Sequence, residues 1–195
     1  KRVLFSLNDK DVFKNFYLAG GTALALQLGH RISNDLDFFS RNGFDENFTI
    51  QRLAEMGNFQ LEKRAEQTII GILDDTKVSF FGYNYPLLKE PENIGNIRIA
   101  NVSDIACMKI DAIASRGTKR DFIDVYFIAK NAVSLGDIFM NFEKKYSSLN
   151  YNMIHIKKSL VFFEDAEDDA NPQMLQSVGW EDVKKFFEDE IVKIN

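Results

Sequence analysis

The apolar residues of this chain change their spacing near Ser103, and that change restricts the folds open to it. Upstream, short apolar runs are broken by glycine, proline and aspartate, as strands and brief helices require. "NFYLAG" (15–20) predicts a strand stopped by Gly20-Gly21, and "TALALQLG" a helix with Thr22 as N-cap and Gly29 as its stop. "NDLDFFS" (34–40) predicts the next strand and "FDENFTIQRLAEMG" (44–57) a second helix. Two strands around a turn at Asp74-Asp75-Thr76 are expected within 67–86, then a brief strand in "IGNIRIANVSD". From Ser103 onward the apolar residues recur at helical spacing. "SDIACMKIDAIASRG", with Ser103 as cap and Gly117 as stop, leads into "KRDFIDVYFIAKN", "SLGDIFMNFEKKYS", "NMIHIKKSLVFFED" and "GWEDVKKFFEDEIVKI". The fold class is therefore α+β, with a sheet-containing N-terminal lobe over residues 1–102 and a helical C-terminal lobe over residues 103–195.

Composition narrows the function classes. The 195 residues hold no run of the ~18 to 20 apolar residues a membrane-spanning helix needs, so no membrane partner is expected. The chain begins at Lys1 rather than Met, so a few native residues are expected ahead of it, and no secretory leader is visible. One cysteine, Cys107, excludes an internal disulfide framework and suits a reducing, cytoplasmic location; with only two histidines beside it, a structural zinc site is disfavoured. A net charge of −5 argues against a broad nucleic-acid-binding surface. A polyanionic partner would need a local basic patch, whereas a small anionic substrate would not.

The chemistry concentrates in "YLAGGTALALQLGHRISNDLDFFS" (17–40). Side chains alternate along a strand, so Asp35 and Asp37 point the same way, their Cα atoms about 7 Å apart. Two such carboxylates can converge on Mg²⁺, with triphosphate oxygens and water completing the octahedron. Gly20 and Gly21 let backbone N–H groups approach a ligand with no Cβ in the way, and a helix starting at Thr22 directs its positive end outward toward phosphate. Two readings are open at this point: an ordinary strand–turn–helix–strand passage with solvated aspartates, or a phosphate cradle followed by a metal clamp.

A resemblance bears on that choice. "GGTALALQLGHRISNDLDFF" resembles the signature of the AbiEii-type abortive-infection nucleotidyltransferase toxins, members of the polymerase-β-like nucleotidyltransferase superfamily. "DIACMKIDAIASRGTKRDFIDVYFI" (104–128), "SLVFFEDAEDDANPQML" (159–175) and "WEDVKKFF" (180–187) are similar to later parts of the same family. The resemblance implies a polymerase-β-like N-terminal fold and Mg²⁺-dependent transfer of a nucleotidyl group from an NTP to an acceptor hydroxyl. Asp35 and Asp37 would hold metal, and Gly20, Gly21 and Thr22 would cradle phosphate. It also implies a tRNA or protein acceptor and an antitoxin protein as partner.

Lys109 and Arg116, seven residues apart, share a helix face, which makes Lys109 a candidate cation for the triphosphate with Arg116 beside it. Asp121 and Asp124 share a face of the next helix, either as an inter-helix ion-pair network or with Asp121 in a catalytic role, and Arg120 is spaced to pair with Asp124. Lys119 and Arg120 lie where they could reach phosphates or RNA, and Arg31 would contact substrate or brace Asp35. The acidic "FFEDAEDDANP" (162–172) reads as a solvated loop.

One departure stands out. Superfamily members commonly carry a third carboxylate on a neighbouring strand, and in "KVSFFGY" Ser79 occupies that place. Serine cannot serve as a carboxylate general base. Asp74 and Asp75 are possible but distant substitutes. The alternatives are fewer metals, an acid borrowed from Asp121, or a degenerate site in a non-catalytic nucleotide-binding module. A metal-dependent phosphodiesterase using the same aspartates would also need a nucleic-acid path, which the acidic composition supports poorly.

Overall fold

The computed structural model describes residues 3–4, 13–95 and 97–194. The chain forms two compact units. One takes in the described residues as far as Ala23 together with Ser33–Pro86 and Glu90–Asn101; the other takes in Leu24–Ile32, Leu87–Lys89 and the chain from Val102 onward.

The first unit is built on strands β1 (Phe16–Ala19), β2 (Leu36–Ser40), β3 (Phe59–Ala65), β4 (Thr68–Leu73), β5 (Thr76–Gly82), β6 (Glu92–Ile94) and β7 (Ile97–Ile99). They form one mixed sheet in the order β3-β4-β5-β2-β1-β7-β6. β2 runs antiparallel to β1 and parallel to β5. Alternation places Phe16, Leu18, Leu36, Phe38, Ile69, Val78 and Phe80 on one face, and all are buried. Phe80 stacks on Phe38 at 5.2 Å and meets Phe16 edge-on at 5.2 Å. The helix α2 (Glu46–Met56) lies against β3 and β4, burying Thr49 and Leu53. Its N-cap is Asp45, whose carboxylate accepts from the Phe48 N–H at 2.9 Å.

The strands expected within 67–86 are β4 and β5, and the turn joining them holds Asp74 and Asp75 at φ 45° and 63°. Two consecutive positive φ values match the twist of a tight hairpin. β3 and β6 carried no alternating signal in the sequence. They are the sheet's two edges, and from Gln60 to Ala65 β3 is exposed at every residue. An edge strand whose side chains are nearly all exposed is under little demand to alternate.

Helix α1 (Gly20–Leu28) begins at Gly20, two residues before the expected start, so Thr22 lies inside the first turn and is not its N-cap. It ends as anticipated at Gly29, whose φ of 60° suits the left-handed position past a helix terminus.

The second unit contains the remainder of α1 with α3 (Val102–Arg116), α4 (Lys119–Asn131), α5 (Leu135–Lys145), α6 (Met153–Ser159), α7 (Glu164–Glu167) and α8 (Trp180–Ile191). α3 packs against α4, α5 and α6, while α4 packs against α7 and α8. Ile105, Ile110, Phe122, Val125, Ile128, Ile138, Phe142 and Phe187 are buried there. Ser103 lies within α3 and does not cap it. The single helix expected over 152–165 is two, because the chain leaves helical geometry between Ser159 and Glu164. Burial pushes the Cys107 thiol up to about 12, so it is an inert core residue. No helix among the described residues is long and apolar enough to cross a membrane.

Candidate active site

β1 delivers the chain to Gly20 at φ +68°, a left-handed conformation that favours glycine. Asp37 stands opposite Ala19 in the β1–β2 register, which brings its carboxylate against the same turn. A Cβ built on Gly20 would lie 2.8 Å from Asp37 Oδ2. The glycine therefore answers two needs, the backbone turn and the close approach of a carboxylate. Gly21 follows half-buried in the first turn of α1.

The Thr22 hydroxyl donates to the backbone carbonyl of Asp35 and lies 2.9 Å from Ser33 Oγ. Thr22 thus fastens the start of α1 to the backbone of the first aspartate. Asp35 is exposed just ahead of β2, and Asp37 is half-buried within it. In the parallel β2–β5 register Asp37 lies directly beside Ser79, which is buried. Ser79 in turn faces Ile70 on β4. That row of the sheet, Ala19–Asp37–Ser79–Ile70, carries one carboxylate. Among the described residues no cluster of three or more His, Cys, Asp or Glu side chains is arranged to hold a metal. The Asp37 carboxylate against a turn that a Cβ would fill, with exposed Asp35 two residues before it, still suits a hard cation whose other ligands are phosphate oxygens and water.

The remaining predicted residues gather in the helical unit. Asp124 is completely buried and receives Arg31 through two bonds, Nε to Oδ1 at 2.7 Å and Nη2 to Oδ2 at 2.8 Å. His30 Nε2 meets Oδ1 at 2.8 Å and Lys109 Nζ meets Oδ2 at 2.6 Å. Lys109 also pairs with Asp121 Oδ1 at 2.7 Å, and Asp121 takes Arg116 Nε at 2.9 Å and the Thr118 hydroxyl at 2.6 Å. Lys109 and Arg116 do share a face of α3, but that face meets the acids of α4. The ammonium expected to meet a triphosphate is buried between two carboxylates. Burial alone would raise the Asp124 carboxyl; Lys109, Arg31 and His30 outweigh it and hold it far below the carboxylate range. Asp121 is also lowered, with Lys109 and Arg116 overcoming its desolvation. A carboxylate whose pKa is lowered is a weaker proton acceptor, which counts against Asp121 as a borrowed base.

Three further expectations change. Arg120 stays exposed while its expected partner Asp124 is fully buried among other cations. Lys119 is buried and donates to the carbonyls of Glu167 and Asp169, at 3.1 and 2.7 Å. Part of the acidic stretch is therefore fastened in place: Asp169 accepts from the Lys119 N–H at 2.9 Å, and Glu167 holds Trp180 Nε1 and Lys184. Arg31 and its neighbours are also held through the backbone, with Ile32 N–H donating to Gln173 and Leu175 N–H to His30. His30 as an Asp124 partner and Ser33 beside Thr22 escaped the sequence reading. A histidine 94 residues from its acid carries no local signal.

Residues 2–92 match the family described as Nucleotidyl transferase AbiEii toxin, Type IV TA system. An uncharacterized protein of Aquifex aeolicus is 40% identical over 185 residues, covering 92% of this chain and 88% of its own length. Among solved structures, JHP933 from Helicobacter pylori is similar with a TM-score of 0.57 at 21% identity, covering 98% of this chain and 86% of that one. The nucleotidyltransferase toxin MenT4 of Mycobacterium tuberculosis reaches a TM-score of 0.62 at 12% identity, covering 98% and 80%. At these identities the structural likenesses establish a shared fold.

Proposed function

Over residues 2–92 the chain belongs to the AbiEii nucleotidyltransferase toxin family, and from that premise we propose that it moves an NMP from a nucleoside triphosphate to an acceptor hydroxyl, using Asp35 and Asp37. The observation that carries the proposal is the mutual fit of turn and acids: Gly20 leaves room for the Asp37 carboxylate, and Thr22 holds the Asp35 backbone. The Gly-Gly-Thr turn and the Asp-x-Asp segment thereby lie within one piece of the sheet unit, which supports the reading.

In this reading Gly20 and Gly21 give the triphosphate close access to backbone N–H groups, and Thr22 acts by positioning Asp35. Asp35 and Asp37 would hold Mg²⁺, which supplies charge neutralisation of the phosphates and of the leaving pyrophosphate. The protein's own share is in-line positioning of acceptor and α-phosphorus. Ser79, beside Asp37, can orient the acceptor hydroxyl by a hydrogen bond but does not ionise it, so slow turnover is part of the proposal. Arg31, Lys109 and Asp121 serve as an internal electrostatic frame of the helical unit. Arg116 belongs to the same frame through Asp121, with its side chain 53% exposed. The acceptor is a tRNA or a protein, and the physiological setting is a toxin restrained by an antitoxin protein in the cytoplasm.

Incubation with Mg²⁺, each α-labelled NTP in turn and total tRNA tests the reading, with the Asp35→Ala/Asp37→Ala protein alongside. Label passing to RNA or to protein with the wild type alone supports it. Tight NTP binding with no transfer favours a nucleotide-binding module, the reading that Ser79 in place of an acid supports.

A further inference from the structure

The two central strands β2 and β5 carry aromatic side chains on both faces of the sheet, and the two faces are treated differently. On the core face Phe38 and Phe80 are 6% and 0% exposed. On the opposite face Phe39 and Phe81 are register partners with ring centroids 5.3 Å apart, yet both remain half-buried. Their row extends to Tyr17, stacked on Phe39 at 6.1 Å, and to Tyr83, edge-on to Phe39 at 5.5 Å. Tyr85 continues it, 4.8 Å from Tyr83.

This is also the face of Asp37. Alternation puts Asp37 and Phe39 on one side of β2, and Ser79 and Phe81 on the same side of β5. One two-residue step, about 7 Å, separates the Asp37–Ser79 pair from the Phe39–Phe81 pair. The ribose that joins an α-phosphate to its base spans a similar distance. A nucleotide whose α-phosphate lies at Asp37 can therefore lay its base over Phe39 and Phe81.

We propose that Phe39, Phe81 and Tyr83 form a stacking shelf for the base of the nucleoside triphosphate. The assignment rests on the nucleotidyltransferase reading, which places the triphosphate at Asp35 and Asp37. Aromatic side chains stack on every base through its π-face. Two of its three rings, Phe39 and Phe81, offer no hydrogen-bonding group, so ring area dominates the selection and favours purines over pyrimidines. It is a specificity element and takes no part in the chemical step.

The test is calorimetric titration, in Mg²⁺, of the wild type, Phe81→Leu and Phe39→Leu with ATP, GTP, CTP, UTP and inorganic triphosphate. Inorganic triphosphate has no base, so it reports the cradle alone. The expected result is roughly tenfold tighter binding of the purine nucleotides than of inorganic triphosphate, with the excess lost in either variant. Unchanged affinity for inorganic triphosphate in the variants would show that each still folds around an intact cradle. Should one variant fail to fold, the other carries the same comparison. Wild type that binds inorganic triphosphate as tightly as ATP, or variants that bind ATP like the wild type, would overturn the shelf and leave the nucleotidyltransferase reading standing. Wild type that binds none of the five would overturn both.

Discussion

Gly20 is constrained twice, by a φ of +68° and by the Asp37 oxygen 2.8 Å from where its Cβ would be. A left-handed non-glycine residue costs roughly 1–2 kcal/mol, and alanine would also displace the carboxylate. Gly20→Ala should therefore lower the melting temperature by a few degrees while abolishing Mg²⁺-NTP binding. Calorimetry paired with thermal melting reads both, and a variant that melts lower but binds normally would remove Gly20 from the site. At Asp124 the prediction concerns stability. Its folded pKa is lowered below the ordinary aspartate value of 3.8, so its contribution is complete above that value, shrinks as pH falls below it, and is gone once the folded pKa is passed. Removing the carboxylate leaves the buried Arg31 guanidinium without its acid and Lys109 with Asp121 alone, a loss of about 3–5 kcal/mol. Urea unfolding of Asp124→Ala at pH 7 should show that loss. The gap between variant and wild type should narrow below pH 4, and a gap constant down to pH 3 would contradict the assignment.

At the scale of elements, the helical unit is joined by a buried ion pair with no local sequence signal. Lys145 on α5 reaches Asp104 on α3 at 2.7 Å, with both side chains fully buried. Asp104 also accepts from the N–H groups of Leu88 and Lys89, at 3.0 and 3.2 Å. One carboxylate thus fastens two helices and the 87–89 segment. Lys145→Met leaves the carboxylate buried without its cation and should cost about 3–5 kcal/mol. Asp104→Asn combined with Lys145→Met removes both charges and should recover a large part of that loss, since replacing a whole buried pair is often near neutral. A double variant no more stable than Lys145→Met would mean that Asp104 matters chiefly through its bonds to Leu88 and Lys89. Elements with an internal period or a defined stop could be read in advance: β4 and β5 around their aspartate turn, α1 up to Gly29, α3 up to Gly117. Elements shaped by position could not. β3 is an edge strand, exposed from Gln60 to Ala65, with too little burial to impose alternation. Thr22 looked like a cap because its side chain fits that role, but the chain turned two residues earlier, at the glycine.

At the scale of the molecule, the α+β class followed from the change of period, and the Gly-Gly-Thr and Asp-x-Asp motifs stood out as the candidate cradle and clamp that we propose. The roles of Lys109, Lys119 and Arg120 were not, because helical spacing tells which residues share a face and not what that face meets. Charge acts at this scale too. With a net charge of −5 and a pI near 5.2, the protein has no general attraction for a polyanion. Two of its cations, Lys109 and Lys119, are buried in internal bonds. A nucleic-acid acceptor would then be held through few phosphate contacts, and each contact to a single strand adds about 0.7 to the magnitude of the slope of log K against log salt. Titration of a single-stranded RNA oligonucleotide between 50 and 200 mM KCl, at saturating Mg²⁺ to fix the divalent background, should give a slope shallower than about −2. Affinity would then depend on the reacting end and its stacking more than on the length of the strand, so truncating the oligonucleotide away from that end should change Kd little. A slope of about −4 or steeper would demand a concentrated basic surface, and the exposed Arg116 and Arg120 at the α3–α4 turn would be the first side chains to neutralise.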